Sequence, residues 1–427
     1  MALKAAGNAE QSTMRILLGN TSAPPTIGGV ENSLRFIGRE LRRRGHDVKI
    51  MCLKRPPDAS SRAEVEGIEV LRVPCEVRRW PQTRLRETLK AIERGAPAIL
   101  EEFRPNVIWS RSVPVSLGIR RAGYRGELVH IFSTSARMDC RGLYFHTKGL
   151  PLRRRAMLLG LWPLHYAVAA RYERDLLRTC TPVTFSENMR KQLLRNVREN
   201  DVRCHVIPPG VEIEFFSREN GERYFDRIWK EYDLKPHDNV VLYVGRLSCA
   251  KNIPMLMDAF GRLKQPAKLV LVGNGSERAR LEAHAQALGF AESVLFAGPQ
   301  AEMLPGFYAL SRVCVLPTTI ESFGQVYLES MASGTPAVGF AGDGEHVLTA
   351  TTEIITDAET GGVVWETSAN ALAAKIDSVL ALDSVTYAAM SQRARDHVTQ
   401  RFSWARFVEK TLALSGPHAA NGQLGQE

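Results

Sequence analysis

The stretch LPTTIESFGQVYLESMASGTPAVGF, residues 316–340, decides the fold predicted for this chain. It opens at the end of an apolar run, residues 312–316, which is typical of a strand buried inside a sheet. A helix is expected to begin within residues 321–325, and the Gly334-Thr-Pro segment ends it. The apolar residues 337–340 then predict a second strand, so the stretch forms a strand–helix–strand unit of a parallel sheet.

Two carboxylates flank the start of this helix. Ser322 followed by Gln325 fits a capping box, which predicts Ser322 as the N-cap residue. Glu329 comes seven residues after Ser322, about two helical turns on, and we expect it on the exposed stripe of the same face. Glu321 precedes the helix, so unpaired backbone N–H groups lie between the two acids. This arrangement suits a ligand that combines an anionic part with several hydroxyl groups.

The composition is that of a soluble globular protein with room for two cores. The chain has 427 residues, of which 44% are hydrophobic, 24% charged and 7% aromatic. Its seven cysteines form no CxxC pair and no cluster with histidine, which favours a reducing compartment and predicts no structural zinc site. Residues 1–13 lack the apolar core of a secretory signal, so we expect a disordered leader there and a disordered tail at residues 417–427.

Charge is divided unequally along the chain. Residues 1–205 carry 37 Lys and Arg against 20 Asp and Glu, a net charge of +17, whereas the remainder carries 19 against 26, a net charge of −7. The basic half suits an anionic substrate or an anionic membrane surface, and a solvated basic face is an alternative of equal weight. Nucleic acid is not expected as a partner, because the basic residues are dispersed and no recognition motif accompanies them.

The first half opens with a β–loop–α–β pattern of Rossmann type. An apolar run at residues 14–20 predicts the first strand, residues 32–45 predict a basic amphipathic helix, and residues 47–53 predict the second strand. Gly28 and Gly29 lie just before the helix, where a backbone without side chains can approach a phosphate. The pair does not match GxGxxG, and a simple tight turn explains it better when it is considered alone.

A polar loop later in the first half is a candidate site for an acceptor. Residues 128–132 predict a buried strand that contains His130, and the polar residues from Ser133 to Arg137 follow it. Open α/β sheets bind their ligands at the carboxyl ends of the strands. We therefore expect this loop to face a ligand.

An apolar segment follows at residues 150–170. Its uncharged part, residues 156–170, is too short to cross a bilayer. Three arginines just upstream would suit a segment that lies in a membrane interface. We favour the other interpretation, a buried or interdomain helix.

Three features of the second half converge on one site. Arg246 and Lys251 stand five residues apart in a loop between a strand and a helix, where two cations can neutralise a diphosphate. The Gly273-Asn-Gly segment comes at the end of the next strand and permits close approach of the backbone. The two carboxylates of the opening stretch supply acceptors for hydroxyl groups. Each feature has a structural explanation when taken singly, but all three lie at strand ends of one α/β domain.

These segments together resemble a known family. The stretch ESFGQVYLE resembles the E-x7-E element of the retaining glycosyltransferases of family 4, which have the GT-B fold. The other matching segments, in chain order, are IGGVENSL at 27–34, IPPGVEIEFF at 207–216, VLYVGRLSCAKN at 241–252, LVGNGSERARL at 271–281 and FAGP at 296–299. The resemblance covers roughly residues 14–415.

The resemblance implies an α/β protein of GT-B fold, with two Rossmann-like domains facing across a nucleotide-sugar cleft. The first domain of such enzymes binds the acceptor and the second binds the donor. The expected limits are 14–211 for the N-terminal domain, 212–239 for a linker, 240–399 for the C-terminal domain and 400–416 for a helix that returns to the first domain.

The resemblance also assigns roles to residues. Arg246 and Lys251 would hold the diphosphate, Glu321 would contact the transferred sugar, and these three are the candidate catalytic residues. Glu329 would bind the ribose. The candidate donor-binding residues are Gly28, Gly29, Gly245, Gly273, Asn274, Gly275, Phe296, Gly298, Ser322, Phe323, Gly324, Gln325 and Glu329. Enzymes of this kind need neither a cofactor nor a metal ion, since protein cations hold the leaving diphosphate.

The sequence departs from the family pattern at two places. Many relatives have a histidine in the loop after the strand at 128–132, where the matching position here is Ser133, and His130 lies three residues earlier. Serine lacks the proton chemistry of imidazole, but the departing phosphate can itself accept the acceptor's proton. Together with Arg137 these two residues form the candidate acceptor loop. Residues 339–353 are longer than the usual link at that point.

The sequence therefore predicts a cytoplasmic, metal-independent retaining glycosyltransferase of hexosyltransferase type. It would move a sugar from a nucleoside diphosphate to a hydroxyl of a glycan, a lipid-linked acceptor or a small molecule. Peripheral contact with an anionic membrane at its inner face is a further expectation. The alternatives are a nucleotide-sugar epimerase or glycan phosphorylase of the same fold, and a non-catalytic nucleotide-sugar-binding subunit. No motif marks the pyridoxal-phosphate lysine that the phosphorylase would require.

Overall fold

The chain packs as two compact units. The computed structural model describes residues 13–23, 29–54, 60–75, 81–146, 152–195, 197 and 202–415. The first unit comprises Met1–Ile131, Leu176–Pro182 and Val408–Glu427, and the second comprises Phe132–Asp175 and Val183–Phe407. Gly28, the predicted leader up to residue 12 and the predicted tail lie outside the described residues.

The packing units differ from the predicted domains. Residues 132–175 and 183–211, predicted within the N-terminal domain, pack with the second unit. Residues 212–239, predicted as a linker, contain two short helices and the fully buried side chain of Ile228. A Cβ atom on Gly306 would lie 2.7 Å from Ile228 Cδ1, so this segment is closely packed inside the second unit. The predicted domain limits themselves stay a prediction.

The first sheet has eight strands in the order β3-β4-β2-β1-β5-β6-β7-β8. The strands are β1 Arg15–Gly19, β2 Asp47–Lys54, β3 Arg62–Val65, β4 Ile68–Pro74, β5 Val107–Ser110, β6 Glu127–Phe132, β7 Thr181–Thr184 and β8 His205–Val206. The pairs β1–β2, β1–β5, β2–β4, β5–β6 and β7–β8 are parallel, and the hairpin β3–β4 is antiparallel. The apolar runs predicted as strands at 14–20, 47–53 and 128–132 are confirmed, because strands buried on both faces need continuous apolar sequence.

Helices connect these strands. They are α1 Gly29–Arg43, α2 Pro81–Phe103, α3 Val113–Arg121, α4 Ala136–His146, α5 Leu152–Gly160, α6 Trp162–Thr179 and α7 Glu187–Leu194. Helix α1 begins at Gly29, three residues before the predicted start. Gly45, with φ of +84°, follows its end and donates its N–H to the carbonyl of Arg42. The predicted end of this helix is confirmed, because glycine takes the left-handed conformation that terminates a helix.

The second sheet has six parallel strands in the order β11-β10-β9-β12-β13-β14. The strands are β9 Val240–Val244, β10 Lys268–Val272, β11 Val294–Gly298, β12 Val313–Leu316, β13 Ala337–Phe340 and β14 Gly361–Val364. The helices are α8 Arg218–Glu222, α9 Phe225–Tyr232, α10 Ile253–Phe260, α11 Arg278–Ala287, α12 Leu304–Leu310, α13 Gln325–Ala332, α14 Thr351–Ile354, α15 Ala369–Leu380, α16 Ser384–Arg401 and α17 Trp404–Leu412.

The second sheet carries one buried apolar core. Val241, Leu271, Val315 and Val338 come from four of its strands and belong to one buried cluster with the apolar faces of α10 and α15. Parallel strands expose neither face to water, so each strand is a short apolar run. Helices on both faces leave the carboxyl ends of the strands, with their loops, as the open edge where a ligand can bind.

Residues 150–170 form an exposed pair of helices in the part that the structure describes. Helix α5 ends at Gly160 and α6 begins at Trp162. The described apolar side chains that are exposed there are Leu152 (81%), Met157 (50%), Leu161 (41%), Trp162 (37%), Leu164 (64%) and Val168 (41%). The predicted buried helix is therefore wrong for these side chains. No described helix combines the length and the apolar character needed to span a membrane.

Candidate functional site

Three neighbouring strands of the second sheet end in glycine turns. Gly245, Gly273 and Gly298 lie at the ends of β9, β10 and β11, and their φ angles are +151°, +136° and +70°. Glycine adopts such angles without the strain that other residues would incur. The N–H of Gly245 donates to the carbonyl of Val272 at 2.9 Å, and the N–H of Gly273 donates to the carbonyl of Gly298 at 2.8 Å. The three turns are therefore held side by side at the carboxyl edge of the sheet.

No side chain separates the backbone segments at this edge. A Cβ atom on Gly273 would lie 1.9 Å from the carbonyl oxygen of Gly245, and one on Gly275 would lie 2.1 Å from that of Leu247. The N–H of Leu247 donates to the carbonyl of Asn274 at 3.0 Å, which ties the loop after β9 to the loop after β10. Main chain thus lines this edge, as backbone recognition of a phosphate or a base requires.

Phe296 lies beside these turns in β11. Its ring is half-buried, and the guanidinium carbon of Arg278 lies 5.5 Å from the ring centroid. Arg278 also pairs with Glu282 through a contact of 2.8 Å between Nε and Oε1. The structure thus places the predicted base-binding Phe296 near the glycine turns, with one arginine already against its ring.

Lys251 and Glu321 form an ion pair, although 70 positions separate them in the sequence. The Nζ–Oε2 distance is 2.5 Å, and the two side chains are 29% and 20% exposed. Lys251 ends a 3-10 turn, and the next residue, Asn252, adopts a left-handed conformation. The side-chain amide of Asn252 donates to the carbonyl of Pro317 at 3.1 Å, which joins the two loops. The cation and the carboxylate predicted for one donor molecule are thus brought together.

Arg246 belongs to the same loop as Lys251. Its side chain is exposed, and its carbonyl accepts a hydrogen bond of 3.0 Å from the hydroxyl of Tyr243. Burial, with a smaller contribution from the charge of Glu321, raises the pKa of Tyr243. Tyr243 therefore stays a hydrogen-bond donor that fixes the backbone of the loop. The sequence pattern did not single out this tyrosine, because it lies inside an apolar strand.

Helix α13 starts differently from the prediction. Gly324, with φ of +96°, occupies the N-cap position, and the helix begins at Gln325. Ser322 is therefore not the N-cap; its carbonyl accepts a hydrogen bond of 3.1 Å from the hydroxyl of Ser186. The side-chain amide of Gln325 donates to the carbonyl of Gly210 at 2.5 Å, and the helix start has no side-chain cap hydrogen bond, so the predicted capping box does not form. A left-handed glycine sets the start of the helix, and two side-chain contacts position the turn before it.

Phe323 anchors this turn in apolar surroundings. Its ring is buried and makes edge-to-face contacts with Phe185 and Phe402, at centroid distances of 6.2 Å and 5.9 Å. Such pairs stabilise beyond the area they bury. The backbone next to Glu321 is therefore held rigidly, which favours precise placement of its carboxylate.

Glu329 lies in a half-buried position, so its predicted exposure is wrong. The hydroxyl of Tyr308 donates to Glu329 Oε2 at 2.7 Å. Burial raises the pKa of Glu329 to about 7, and the bond from Tyr308 offsets only part of that effect. No sequence motif pointed to Tyr308, because it lies in an apolar helix 21 positions away from Glu329. The carboxylate can still accept a hydroxyl of a ligand, but its charge depends on pH near neutrality.

His130, a predicted acceptor-loop residue, is buried in the first unit. Its Nδ1 lies 2.7 Å from the hydroxyl oxygen of Ser116, and the side chain is 1% exposed. Burial, followed by the positive charge of Arg111, lowers the pKa of His130 to about 3. The imidazole is therefore neutral at physiological pH and is not a solvent-facing base.

The charged residue Arg111 lies near His130 and interacts with Glu31. Arg111 follows β5 and is 7% exposed, and burial lowers its pKa to about 10 while the charge of Glu31 acts in the opposite direction. Glu31 lies in the first turn of α1 and accepts a hydrogen bond from the hydroxyl of Ser22. Gly29 begins that helix. Sequence reasoning identified Gly29 but named neither Arg111 nor Glu31 as a candidate.

Ser133 and Arg137 belong to the second unit. Ser133 is half-buried and follows β6, and Arg137 lies in the first turn of α4. Arg137 donates from Nη1 to the carbonyl of Gly344 at 3.3 Å and from Nη2 to the carbonyl of Glu345 at 3.1 Å. The structure thus joins the predicted acceptor loop to the long link at residues 339–353. No group of three His, Cys, Asp or Glu side chains among the described residues is arranged to hold a metal ion.

Two family models match the chain. The model for glycosyl transferases group 1 matches residues 225–397. The model for glycosyltransferase family 4 matches residues 27–215. The two matches divide the chain between them, one for each sheet.

Curated proteins are similar to this chain over different lengths. The D-inositol 3-phosphate glycosyltransferase of Mycobacterium marinum is 31% identical over 231 residues, which are 52% of this chain and 47% of the relative. The chain thus spans about half the length of such relatives. A GDP-mannose-dependent alpha-(1-6)-phosphatidylinositol monomannoside mannosyltransferase of Mycolicibacterium smegmatis is 26% identical over 425 residues, 95% of this chain and 99% of the relative.

Solved structures share the fold. Sucrose-phosphate synthase from Thermosynechococcus elongatus superimposes with a TM-score of 0.77 at 21% identity, and the match covers 94% of this chain and 98% of the other. HepE from Anabaena, solved in complex with UDP-glucose, gives a TM-score of 0.68 at 18% identity, with coverage of 94% and 99%. At these identities the similarity establishes the fold alone.

Proposed function

The chain belongs to the family-4 glycosyltransferases of GT-B fold, and from this premise we propose that it transfers a sugar from a nucleoside diphosphate to an acceptor hydroxyl. The observation that carries the proposal is the Lys251–Glu321 ion pair at a strand-end edge lined by glycine backbone. A nucleotide-sugar has a diphosphate that needs cations and a sugar whose hydroxyls need acceptors. The Lys251–Glu321 pair offers a cation for the diphosphate and a carboxylate acceptor for a sugar hydroxyl, in direct contact with each other.

Arg246 and Lys251 act on the diphosphate in this proposal. As the bond between the sugar and the diphosphate breaks, negative charge grows on the leaving phosphate oxygen. Cations placed beforehand near that oxygen lower the barrier, because they are in position before the charge develops. These two side chains supply positive charge without a metal ion, which supports a metal-independent reaction. HepE, which shares the fold, was solved with UDP-glucose, and this favours a nucleoside-diphosphate donor here.

The glycine turns and Glu329 would hold the rest of the donor. The main-chain edge at Gly245, Gly273 and Gly298 would lie against the base or a phosphate, and its positive φ angles suit glycine there. Phe296 offers a ring face beside it, and Glu329 would accept a ribose hydroxyl. Glu321 would contact the transferred sugar while Lys251 holds its other carboxylate oxygen.

A retaining front-face reaction fits the side chains available. The acceptor oxygen would bond to the anomeric carbon on the face that the phosphate leaves, and the acceptor's proton would pass to the departing phosphate oxygen. No protein base is needed for that transfer. This fits His130, which is buried and neutral, and Ser133, which has no imidazole.

Lys251→Ala is expected to lower transfer at least a hundredfold, because one preorganised cation contributes about 3 kcal/mol to such a transition state. Lys264→Ala is the control, since Lys264 is an exposed lysine in another loop of the same unit. Labelled UDP-, GDP- and dTDP-sugars are screened for binding, and transfer is then measured with the donor that binds. Circular dichroism should show that both variants are folded, so that a loss of transfer reports on the site. Equal turnover of Lys251→Ala and wild type would contradict the proposal.

The same assay separates the alternatives. An epimerase would convert the donor sugar without any acceptor and release no nucleoside diphosphate. A non-catalytic subunit would bind the donor and show neither transfer nor slow donor hydrolysis. A transferase releases nucleoside diphosphate, and it does so faster when an acceptor is present.

We also propose peripheral contact with an anionic membrane from the cytoplasmic side, and the exposed apolar surface of α5 and α6 supports the contact itself. The apolar surface consists of Met157, Leu161, Trp162, Leu164 and Val168. Trp162 and Tyr166 stack with their ring centroids 6.1 Å apart, and such amphipathic rings prefer the headgroup level of a bilayer. A short apolar helix with a basic border is typical of an interfacial segment.

Charge favours lipid over a second copy of the chain on this surface. Arg171, Arg174 and Arg178 continue along α6 with exposed side chains. In a two-fold dimer the same surface meets itself, so the positive charges of both copies would be brought into one interface. Anionic headgroups instead neutralise them. The occupant we propose is therefore an anionic bilayer.

A further inference from the structure

Three arginine side chains of the second unit converge on one loop. Arg137 and Arg141 lie on α4, and Arg195 is the C-cap residue of α7. Arg195 Nη2 donates to the carbonyl of Gly344 at 2.7 Å, Arg137 donates to the carbonyls of Gly344 and Glu345, and Arg141 also donates to the carbonyl of Glu345. We name Arg137, Arg141 and Arg195 the arginine cluster.

Positive charge exceeds negative charge at the arginine cluster. Among the described carboxylates, Glu345 approaches it, with Oε1 4.0 Å from Arg195 Nη2, but its side chain is 66% exposed. Burial, and then the like charges of Arg195 and Arg141, lower the pKa of Arg137. Three guanidinium groups thus repel one another with one solvated carboxylate beside them. A bound anion would relieve this repulsion.

The arginine cluster keeps donors for a ligand. Within the described residues, the hydrogen bonds of Arg137 and Arg195 involve their Nη atoms, so each Nε–H group is still available. A guanidinium presents five N–H donors in a planar fork that matches the oxygens of phosphate. Carbonyl oxygens hold the three forks in place without neutralising them. Such preorganisation favours an anion with several oxygens.

The loop that meets the arginine cluster continues to the proposed transfer site. Asp343 Oδ1 accepts from the backbone N–H groups of Glu345, His346 and Val347 at 2.7–2.8 Å, which makes the loop rigid. The carbonyl of Leu348 then accepts from the N–H of Glu321 at 2.9 Å. The arginine cluster is therefore linked through one short, ordered segment to the carboxylate proposed to contact the sugar.

We propose that the arginine cluster binds a phosphate group carried by the acceptor. This inference rests on the proposed glycosyl transfer and adds the chemical class of the acceptor. The phosphate has two potential sources, a soluble sugar phosphate or the headgroup of a phospholipid. A lipid source would fit α6, whose Trp162 donates from Nε1 to the carbonyl of Cys140 at 3.1 Å, next to Arg141.

The first experiment measures phosphate binding by the full chain without a donor. Inorganic phosphate and glycerol 3-phosphate are titrated calorimetrically at low ionic strength into wild type, Arg141→Gln, Arg195→Gln and the control Arg227→Gln. Each cluster substitution is expected to weaken binding about tenfold, since one charge-assisted hydrogen bond contributes that much. Arg227 is exposed on α9, outside the arginine cluster and the α5–α6 surface, so its substitution should leave phosphate affinity at the wild-type value. Equal phosphate affinity in all four proteins would overturn the inference.

Unfolding in urea separates binding from a structural role. If the arginine cluster only fastens the loop, Arg141→Gln and Arg195→Gln lose stability but keep phosphate affinity, and the inference is wrong. Phosphate should also raise the unfolding midpoint of wild type more than that of either cluster variant. A shift of the same size in all proteins would again contradict the inference.

The second experiment identifies the source of the phosphate. Transfer is compared for a sugar phosphate against its free sugar, and for phosphatidylcholine vesicles that contain phosphatidylinositol against the same vesicles with diacylglycerol in its place. The phosphorylated member of one pair should have the lower KM, and Arg195→Gln should raise that KM about tenfold. If donor hydrolysis occurs and neither pair shows this preference, the cluster binds an adventitious ion only. Absence of both donor hydrolysis and transfer would instead refute the proposed function, and the phosphate titration would still decide the inference.

Discussion

The carboxyl group of Glu329 makes stability depend on pH at the scale of a single residue. Its pKa is raised from an ordinary value of 4.5 to about 7, because the folded protein removes the carboxylate from water. The folded state thus holds the proton more tightly than the unfolded chain does. By linkage, this group lowers the free energy of unfolding as pH rises from about 4.5 to about 7, and the loss is complete above that range.

Glu329→Gln should abolish this dependence. Glutamine keeps the shape and an acceptor for Tyr308 but carries no charge at any pH. Between pH 5 and pH 8, wild type should lose up to about 3 kcal/mol of stability relative to the variant. Urea unfolding of both proteins at the two pH values measures the difference. Parallel pH profiles would show that the carboxylate is as well solvated in the folded protein as in the unfolded chain.

The residues that sequence reasoning missed share a physical property. Tyr308, Arg141 and Arg195 make their contacts with residues 21 or more positions away, and no local pattern reports such contacts. Arg246, Lys251 and Glu321 were found because their loops carry motif residues at fixed spacing. The ion pair between Lys251 and Glu321, at 2.5 Å, could be seen only in the folded structure, because it joins loops that follow different strands.

The turn after β10 shows how backbone shape governs an element. Gly273 has a positive φ angle, and a side chain there would meet the carbonyl of Gly245. Gly289 also has a positive φ angle, of +79°, but a Cβ atom there meets nothing within 4 Å. Substitution would therefore strain the backbone at both glycines, but only at Gly273 would the new side chain also clash with a neighbouring carbonyl group.

Gly273→Ala should destabilise the second unit far more than Gly289→Ala. The strain at Gly289 is worth about 1 kcal/mol, whereas Gly273→Ala adds the displacement of a backbone carbonyl and should cost at least about 3 kcal/mol. Urea unfolding measures both, and donor binding of Gly273→Ala should weaken in the same preparation. If the two substitutions lower the free energy of unfolding by amounts within about 0.5 kcal/mol of each other, the ends of the strands can move apart without penalty.

Elements with a strong apolar pattern were predictable, but their junctions were not. Most strands of both sheets follow from apolar runs, but the sequence did not predict the order in which they pair. The start of α13 did not follow, because Ser322 and Gln325 fit a capping box while Gly324 sets the actual boundary by its left-handed conformation. The helices at residues 150–170 were also misjudged, since an apolar composition does not show which side chains a fold leaves exposed.

Charge acts at the scale of the whole molecule. The first 205 residues carry a net charge of +17 and the rest −7, a division that local contacts do not require. The positive charge of the first half attracts an anionic surface over roughly one Debye length, which is about 8 Å at physiological ionic strength. The exposed apolar side chains of α5 and α6 would then contribute short-range contact after that attraction has brought the protein to the bilayer.

Sedimentation with vesicles tests both contributions. Binding to vesicles rich in phosphatidylserine or phosphatidylglycerol should fall at least tenfold between 50 mM and about 500 mM salt, and neutral phosphatidylcholine vesicles should bind weakly at either concentration. Leu164→Ser should weaken binding to anionic vesicles several-fold, because that side chain is 64% exposed on α6. Val385→Ser is the matched control, since Val385 is 78% exposed on α16, outside the α5–α6 surface. Absence of vesicle binding at low salt, or an equal effect of both substitutions, would remove the membrane from the proposed partners and leave a soluble acceptor.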